Sequence, residues 1–419
     1  MKNKIIQFGE GGFLRGFVDW MLQILNEKTD FNAEVTVVQP IKNGLCDVLA
    51  EQDYKYTHLC RGVEGIDARK ISVIKDCVKP YDEFEKYIAL AEDNGFRFIV
   101  SNTTEAGISV NREDKLTDKP ASSFPGKLTQ LLLRRYELGL DGFVFLPCEL
   151  IDKNGAQLKK CILEYCELWS LDSGFAKWID EENIFCNTLV DRINTGYPKD
   201  EALFEYADDK MLNTSEYFHL WAIEGYMDLF NELPLDKCGL NVVLTDNLAG
   251  YRTIKVRILN GAHTSMIPYA LLSGVETVRE CLENGVISKH LYDCLAEIID
   301  SLELDRAECE EYAKAVIKRF SNPYIRHLCA SISLNSVSKF KVRVLPSILS
   351  YEKKHGEAPK TLLFSFAKLI EFYKKGAPND DETATRKLRE GSVEEILSDV
   401  SLWGEDVSRF ADAVKSYIG

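Results

Sequence analysis

What this sequence of 419 residues has little of is informative. No apolar run approaches the roughly 20 residues that cross a bilayer, so no membrane-spanning helix is expected. The apolar opening breaks at Gln7 and Gly9, too early for the core of a signal peptide. Six histidines show no HxxxH or HxH spacing, and twelve cysteines form no CxxC pair. Zinc-ligand spacing and a redox dithiol are therefore both missing, and no metal is expected. So large a chain without an export signal predicts reduced, mostly buried thiols in a cytoplasmic protein. Basic residues are also in deficit: 51 Lys and Arg against 66 Asp and Glu leave a net charge of −15. That balance opposes binding to nucleic acid or to an anionic membrane through the overall field. Repeats and low-complexity tracts are absent.

What is there begins with alternation. The β-branched runs 4–8 and 33–40 flank an apolar-periodic stretch at 17–29, which reads as strand, helix, strand. Residues 81–95 read as a helix, 96–102 as a buried strand, 125–139 as a helix and 142–150 as a strand. Apolar strands without strict alternation, set between helices, predict a mostly parallel sheet covered on both faces. From about residue 157 helical patterns take over, including 156–169 and 214–230, with one more strand at 240–247. Beyond it almost everything reads as helix, such as 361–376 and 393–417. The expected architecture is an α/β domain over 1–245 and a helical domain over 246–419.

"IIQFGEGGFLRGFVDW", residues 5–20, carries the first motif. Gly9 suits a turn out of the strand, and Gly11 leaves the backbone bare where a pyrophosphate would approach a helix N-terminus. The third glycine of the usual dinucleotide pattern is replaced by Leu14, and Arg15 follows within the first helical turn. Two readings stay open: a phosphate site with Arg15 as its charge, or a sharp turn with a surface arginine. The second strand ends in Gln39-Pro40 instead of the acid that binds an adenosine ribose, with Lys42 just beyond. Gln39 suits a ribose hydroxyl and Lys42 a 2′-phosphate, so NAD and NADP are not separated.

The second motif lies in "YRTIKVRILNGAHTSMIPYA", where Lys255, Asn260 and His263 have the spacing KxxxxNxxH. At about 100° per residue Asn260 lies roughly 140° and His263 roughly 80° from Lys255, on one side of an α-helix. A partly buried lysine is a usable general base, an asparagine amide donates to a developing alkoxide, and a histidine orients a hydroxyl. A helix with a surface lysine, a capping asparagine and a satisfied histidine has the same spacing.

GxGxFxR (Gly9, Gly11, Phe13, Arg15) together with KxxxxNxxH resembles the polyol-specific long-chain dehydrogenases, the mannitol dehydrogenase family. "SNTTEAGIS", "DKNG", "TLVDRI" and "RFSNPYIRHL" extend the resemblance over essentially the whole chain. It implies a Rossmann-type N-terminal domain, a helical C-terminal domain, an NAD cofactor with NADP as the alternative, and no metal. It also implies that Lys255 is the general acid/base, that Asn154 and Asn260 form the oxyanion hole, and that His263 orients the substrate. Asn102 and Thr103 would contact the nicotinamide ribose or phosphates, and Glu105 would line a proton path or be a solvated loop acid. "PCELIDKNG" and "LVDRINTGYP" resemble the members acting on keto-uronates, a small-molecule sugar-acid class. A uronate carboxylate needs a cation: Lys339, in "SKFKVRVLP", is the expected one and Arg319 the second. The other five histidines read as structural. A fructuronate, mannitol or phosphorylated-hexitol enzyme and a non-catalytic nucleotide sensor are the rival readings, and oligomeric state is left open.

Overall fold

The computed structural model describes residues 3–104, 106–198 and 204–418. It divides into two units, Met1–Leu248 and Ala249–Gly419. In the first, six strands form a parallel sheet: β1 (Lys4–Phe8), β2 (Glu34–Val38), β3 (Ile74–Val78), β4 (Phe96–Ser101), β5 (Val144–Pro147) and β6 (Ile184–Phe185). Their order is β3-β2-β1-β4-β5-β6, so β1 and β4 are neighbours where the order reverses. Ligands of such sheets bind outside the strand C-termini at that point.

The pleat explains the apolar composition of the strands. Ile5 faces one layer with Val35, Phe98 and Leu146, while Ile6 faces the other with Val38, Ile99 and Phe145. Helix α1 (Gly12–Gly16) and helix α2 (Val18–Lys28) cover the first layer through Leu14, Met21 and Leu25. Helices α3 (Phe124–Glu137) and α4 (Asn154–Leu168) cover the second through Leu128, Leu131 and Ile162. The four inner strands, β2, β1, β4 and β5, are buried on both faces, as an apolar run without alternation requires.

The helical reading of 214–230 is corrected. Leu220–Glu224 is a strand, paired antiparallel to Asn187–Asp191 and parallel to Val242–Leu244. Its run Leu220–Ile223 is wholly buried, and such a run has no period that separates strand from buried helix. Gly225, at φ +105°, then turns the chain. A further four-stranded sheet joins Tyr56–Gly62, Gly65–Ile71, Asn194–Gly196 and Asn213–Ser215, so the stretch after 183 is largely β.

In the second unit every described element is helical. The stretch 393–417 is a chain of short helices, because Asp399 caps a new start at Ser401 and Gly404, at φ +90°, ends it. Among the described residues no helix is long and apolar enough to cross a membrane. All twelve cysteines are free and buried.

Burial makes this unit sensitive to acid. It pulls the His290 imidazole down to about 4, although the Ser265 carbonyl opposes the shift. Below about pH 6.5 the unfolded chain takes up a proton that the folded chain refuses. Stability is therefore full above that pH and falls as the pH drops toward 4. His290→Gln should flatten the slope of unfolding free energy against pH by about 1.4 kcal/mol per unit across that window. Urea melts of both proteins at pH 7, 5.5 and 4.5 measure it, and parallel slopes would refute it.

Candidate functional site

The glycine turn sits where β1 ends. Gly9 has φ +115°, a backbone state that glycine alone adopts cheaply, and its N–H donates to the Val38 carbonyl at 3.1 Å. Gly11 is different. Its φ of −63° and ψ of 160° suit any residue, and a Cβ there would meet no atom within 4 Å. Bare backbone thus faces open space at the start of α1, which fits a phosphate lying against it. The close-packing role falls to Gly12 and Gly16, one turn apart. A Cβ on Gly16 would lie 2.7 Å from Asn194, Asn213 and His58, and one on Gly12 would lie 2.8 Å from Asn194. Leu14 is free to fill the core, and Phe13 stacks on Phe17 at 5.0 Å.

Two expected cofactor contacts are corrected here. Arg15 is only 5% exposed. It donates to the carbonyls of Glu10 and Met211 and lies over the Tyr56 ring, so it braces the turn from inside instead of reaching a phosphate. Gln39 is buried as well. Its amide donates to the Ile41 and Lys42 carbonyls and accepts from the Cys46 N–H, which holds the loop after β2 in place of a ribose. The Lys42 ammonium lies over Tyr81 at 5.5 Å.

Beyond β4, Asn102 donates to the Cys148 carbonyl at 2.7 Å. Both donors of Thr103 go to Glu149, at 2.9 Å from its N–H and 3.0 Å from its hydroxyl. Glu149 is a functional-end residue that sequence reasoning passed over. It is buried just past β5, also accepts from Ser101, and burial raises its pKa. The only hint was an acid following an apolar strand. Glu105 lies outside the described residues.

Asn154 is the largest correction. It is fully buried at the start of α4. Its Nδ2 donates to the carbonyls of Pro147, Glu149 and Thr188, and its Oδ1 accepts from the N–H groups of Gly155 and Thr188. Every polar atom of the amide is spent on backbone, so it ties three segments together and offers nothing to an oxyanion. Unmade buried hydrogen bonds cost about 1–3 kcal/mol per group. Asn154→Ala should therefore lower the stability of the N-terminal unit by at least about 3 kcal/mol, or roughly 6–12 °C in Tm. A Tm within 2 °C of wild type in a thermal scan would contradict this.

The second motif lies in the second unit. Helix α5 (Leu248–Ile254) runs into a π-helical segment, Lys255–Asn260, and then into α6 (Gly261–Leu272). The expected α-helical angles therefore fail between Lys255 and Asn260. In the i→i+5 register Asn260 comes just past one full turn from Lys255 and not well round the helix, which brings the two closer to one line. Lys255 and Asn260 are half-buried. Among the described residues the Asn260 amide has no side-chain partner.

His263 is buried, with its ring stacked on Phe320 at 4.1 Å and edge-on to His327 at 5.0 Å. Its Nε2 has no hydrogen-bond partner. Burial first, then the charges of His327, Arg319, Arg343 and Lys339, hold its pKa well below the ordinary value. It is therefore a neutral imidazole inside a cationic cluster, fit to accept a hydrogen bond from a hydroxyl without taking its proton. Arg319, Lys339 and Arg343, far apart in sequence from Lys255, gather around this histidine. His327, read as structural from its spacing, joins them. Among the described residues no three His, Cys, Asp or Glu side chains converge as a metal ligand set.

Comparison with known proteins accords with both units. Residues 3–237 match the mannitol dehydrogenase Rossmann domain and residues 247–417 the mannitol dehydrogenase C-terminal domain. An altronate oxidoreductase of Yersinia enterocolitica is 42% identical, covering 97% of this chain and 91% of the relative. One from Escherichia coli O6:K15:H31 is 45% identical, covering 88% and 80%. Among solved structures, a substrate-free D-sorbitol dehydrogenase superposes with a TM-score of 0.82 at 23% identity, covering 99% of this chain and 94% of that one. Pseudomonas fluorescens mannitol 2-dehydrogenase, in ternary complex with NAD and D-mannitol, gives 0.70 at 19%, covering 99% and 90%. Fold and relatives together define an oxidoreductase acting on a CH–OH group. The chain belongs to the mannitol dehydrogenase family.

Proposed function

We propose that this chain reduces a keto-uronate, D-tagaturonate, to D-altronate and runs the reverse oxidation, with NAD(H) as the hydride carrier. The observation that carries the reading is the 42–45% identity to altronate oxidoreductases over most of the chain. The cationic surroundings of His263 support a substrate with a carboxylate. When bound, the reduced nicotinamide supplies a hydride to the carbonyl carbon.

The chain's own residues do the rest. Lys255 gives its proton to the carbonyl oxygen in reduction and takes it back in oxidation. Asn260, with its amide unspent, donates to that oxygen as charge builds on it. His263 accepts a hydrogen bond from a neighbouring hydroxyl and sets the sugar's orientation. Gly9 and Gly11 would hold the pyrophosphate, with Asn102 close to β1. Gln39 faces inward and supplies no acid to enforce NAD, so the preference is the family's.

The test is NADH oxidation, read at 340 nm, against tagaturonate, fructuronate, neutral ketoses and a phosphorylated ketose. The highest kcat/KM should fall on tagaturonate, and higher with NADH than with NADPH. A fructuronate or ketose preference would replace the substrate. An NADPH preference would replace the cofactor and implicate Lys42. Binding of NADH without turnover of any substrate would make the chain a sensor.

A further inference from the structure

Arg343 ends helix α7 (Ser336–Arg343), one turn after Lys339 on the same face. Two cations so placed repel each other, and burial together with the Arg343 charge lowers the Lys339 pKa while Asp380 opposes the shift. Other arginines of the chain are met by acids or by carbonyls: Arg97 is bidentate to Glu232, Arg409 grips Glu352, and Arg15 and Arg192 donate to backbone carbonyls. Arg343 is half-buried, yet among the described residues it makes no side-chain hydrogen bond or ion pair. The other two cations of the cluster are occupied. The Lys339 ammonium donates to the Ile332 carbonyl at 2.8 Å, and Arg319 is 6% exposed and already engaged.

Its backbone is held against the catalytic helix. A Cβ on Gly261, the residue after Asn260, would lie 3.2 Å from the Arg343 carbonyl oxygen. Glycine there lets the last turn of α7 abut the junction between the π segment and α6, two residues before His263. A guanidinium with no acid partner, whose charge reaches His263 with its unpartnered Nε2 and whose backbone abuts the residue after Asn260, is arranged for an anion from outside.

We propose that Arg343 seats the substrate carboxylate through its planar fork, with Lys339 adding charge behind it, and so selects sugar acids over neutral ketoses. This rests on the keto-uronate reading above. It moves the carboxylate contact from Lys339, the cation expected from the sequence, to the one whose donors are open.

The test compares kcat/KM for D-tagaturonate with that for D-tagatose, which carries CH2OH in place of the carboxylate, in wild type, Arg343→Met and Arg343→Lys. NADH binding by the same preparations reports their folding. In Arg343→Met the acid-to-neutral ratio should fall at least a hundredfold, mainly through KM for the acid. Arg343→Lys should recover part of it, because lysine keeps the charge but loses the bidentate geometry. A ratio that moves less than tenfold in Arg343→Met overturns the proposal and leaves the keto-uronate reading standing. A wild type that prefers tagatose overturns that reading, and this proposal with it.

Discussion

Lys255→Ala should lower kcat by about 10² to 10⁴-fold, the usual contribution of a positioned acid or base and about 2.7–5.5 kcal/mol of barrier. The lysine opens the π segment, half-buried, one π turn from Asn260 and on the helix that carries His263. No water fixed at that spot would match its positioning. NADH affinity should stay nearly intact, since the glycines proposed to hold the pyrophosphate belong to the other unit. Small added amines should restore part of the variant's rate. Retention of more than about a third of wild-type turnover would route the proton through another group, and His263 would be the first to examine.

Gly11→Val is expected to raise the Kd for NADH at least tenfold, a loss of about 1.4 kcal/mol or more, with Tm nearly unchanged. Binding and folding separate at this residue because of local geometry. The backbone angles of Gly11 accept valine, and nothing in the protein lies within 4 Å of the new Cβ. The added methyls would occupy only the space proposed for the pyrophosphate. Gly16→Val provides the contrast: its Cβ would stand 2.7 Å from Asn194, Asn213 and His58, so that variant should lose stability whether or not cofactor is present. Isothermal titration and thermal scans of both variants distinguish the cases. An unchanged Kd for Gly11→Val would reduce the opening motif to a turn.

Much of this was legible in the sequence wherever the deciding interactions are local. The alternating runs 4–8, 17–29 and 33–40 foretold the strand, helix and strand that carry the turn. The Lys255, Asn260 and His263 spacing marked the helix of the proposed chemistry. The misreadings share a different cause. Arg15 looked like a phosphate ligand because Met211, which it binds, is almost two hundred residues away. Asn154 looked available because the carbonyls that consume its amide come from Pro147 and Thr188, on separate strands. The π register is invisible to a count at 100° per residue, since it depends on which carbonyl each N–H finally meets. Arg343 was visible as one charge in a basic run, but that it has no acid partner follows only from the fold. The meeting of His327 with His263 is likewise tertiary.

Transfer of label from the cofactor to the product tests the central claim most directly. Tagaturonate would be incubated with enzyme and NADH deuterated on both faces of C4, and the product analysed by NMR and mass spectrometry. The account predicts altronate carrying one deuterium at the former carbonyl carbon, formed in step with NADH loss in wild type and at a rate lowered at least a hundredfold in Lys255→Ala. Unlabelled product, or labelled product formed at the wild-type rate by Lys255→Ala, would contradict it.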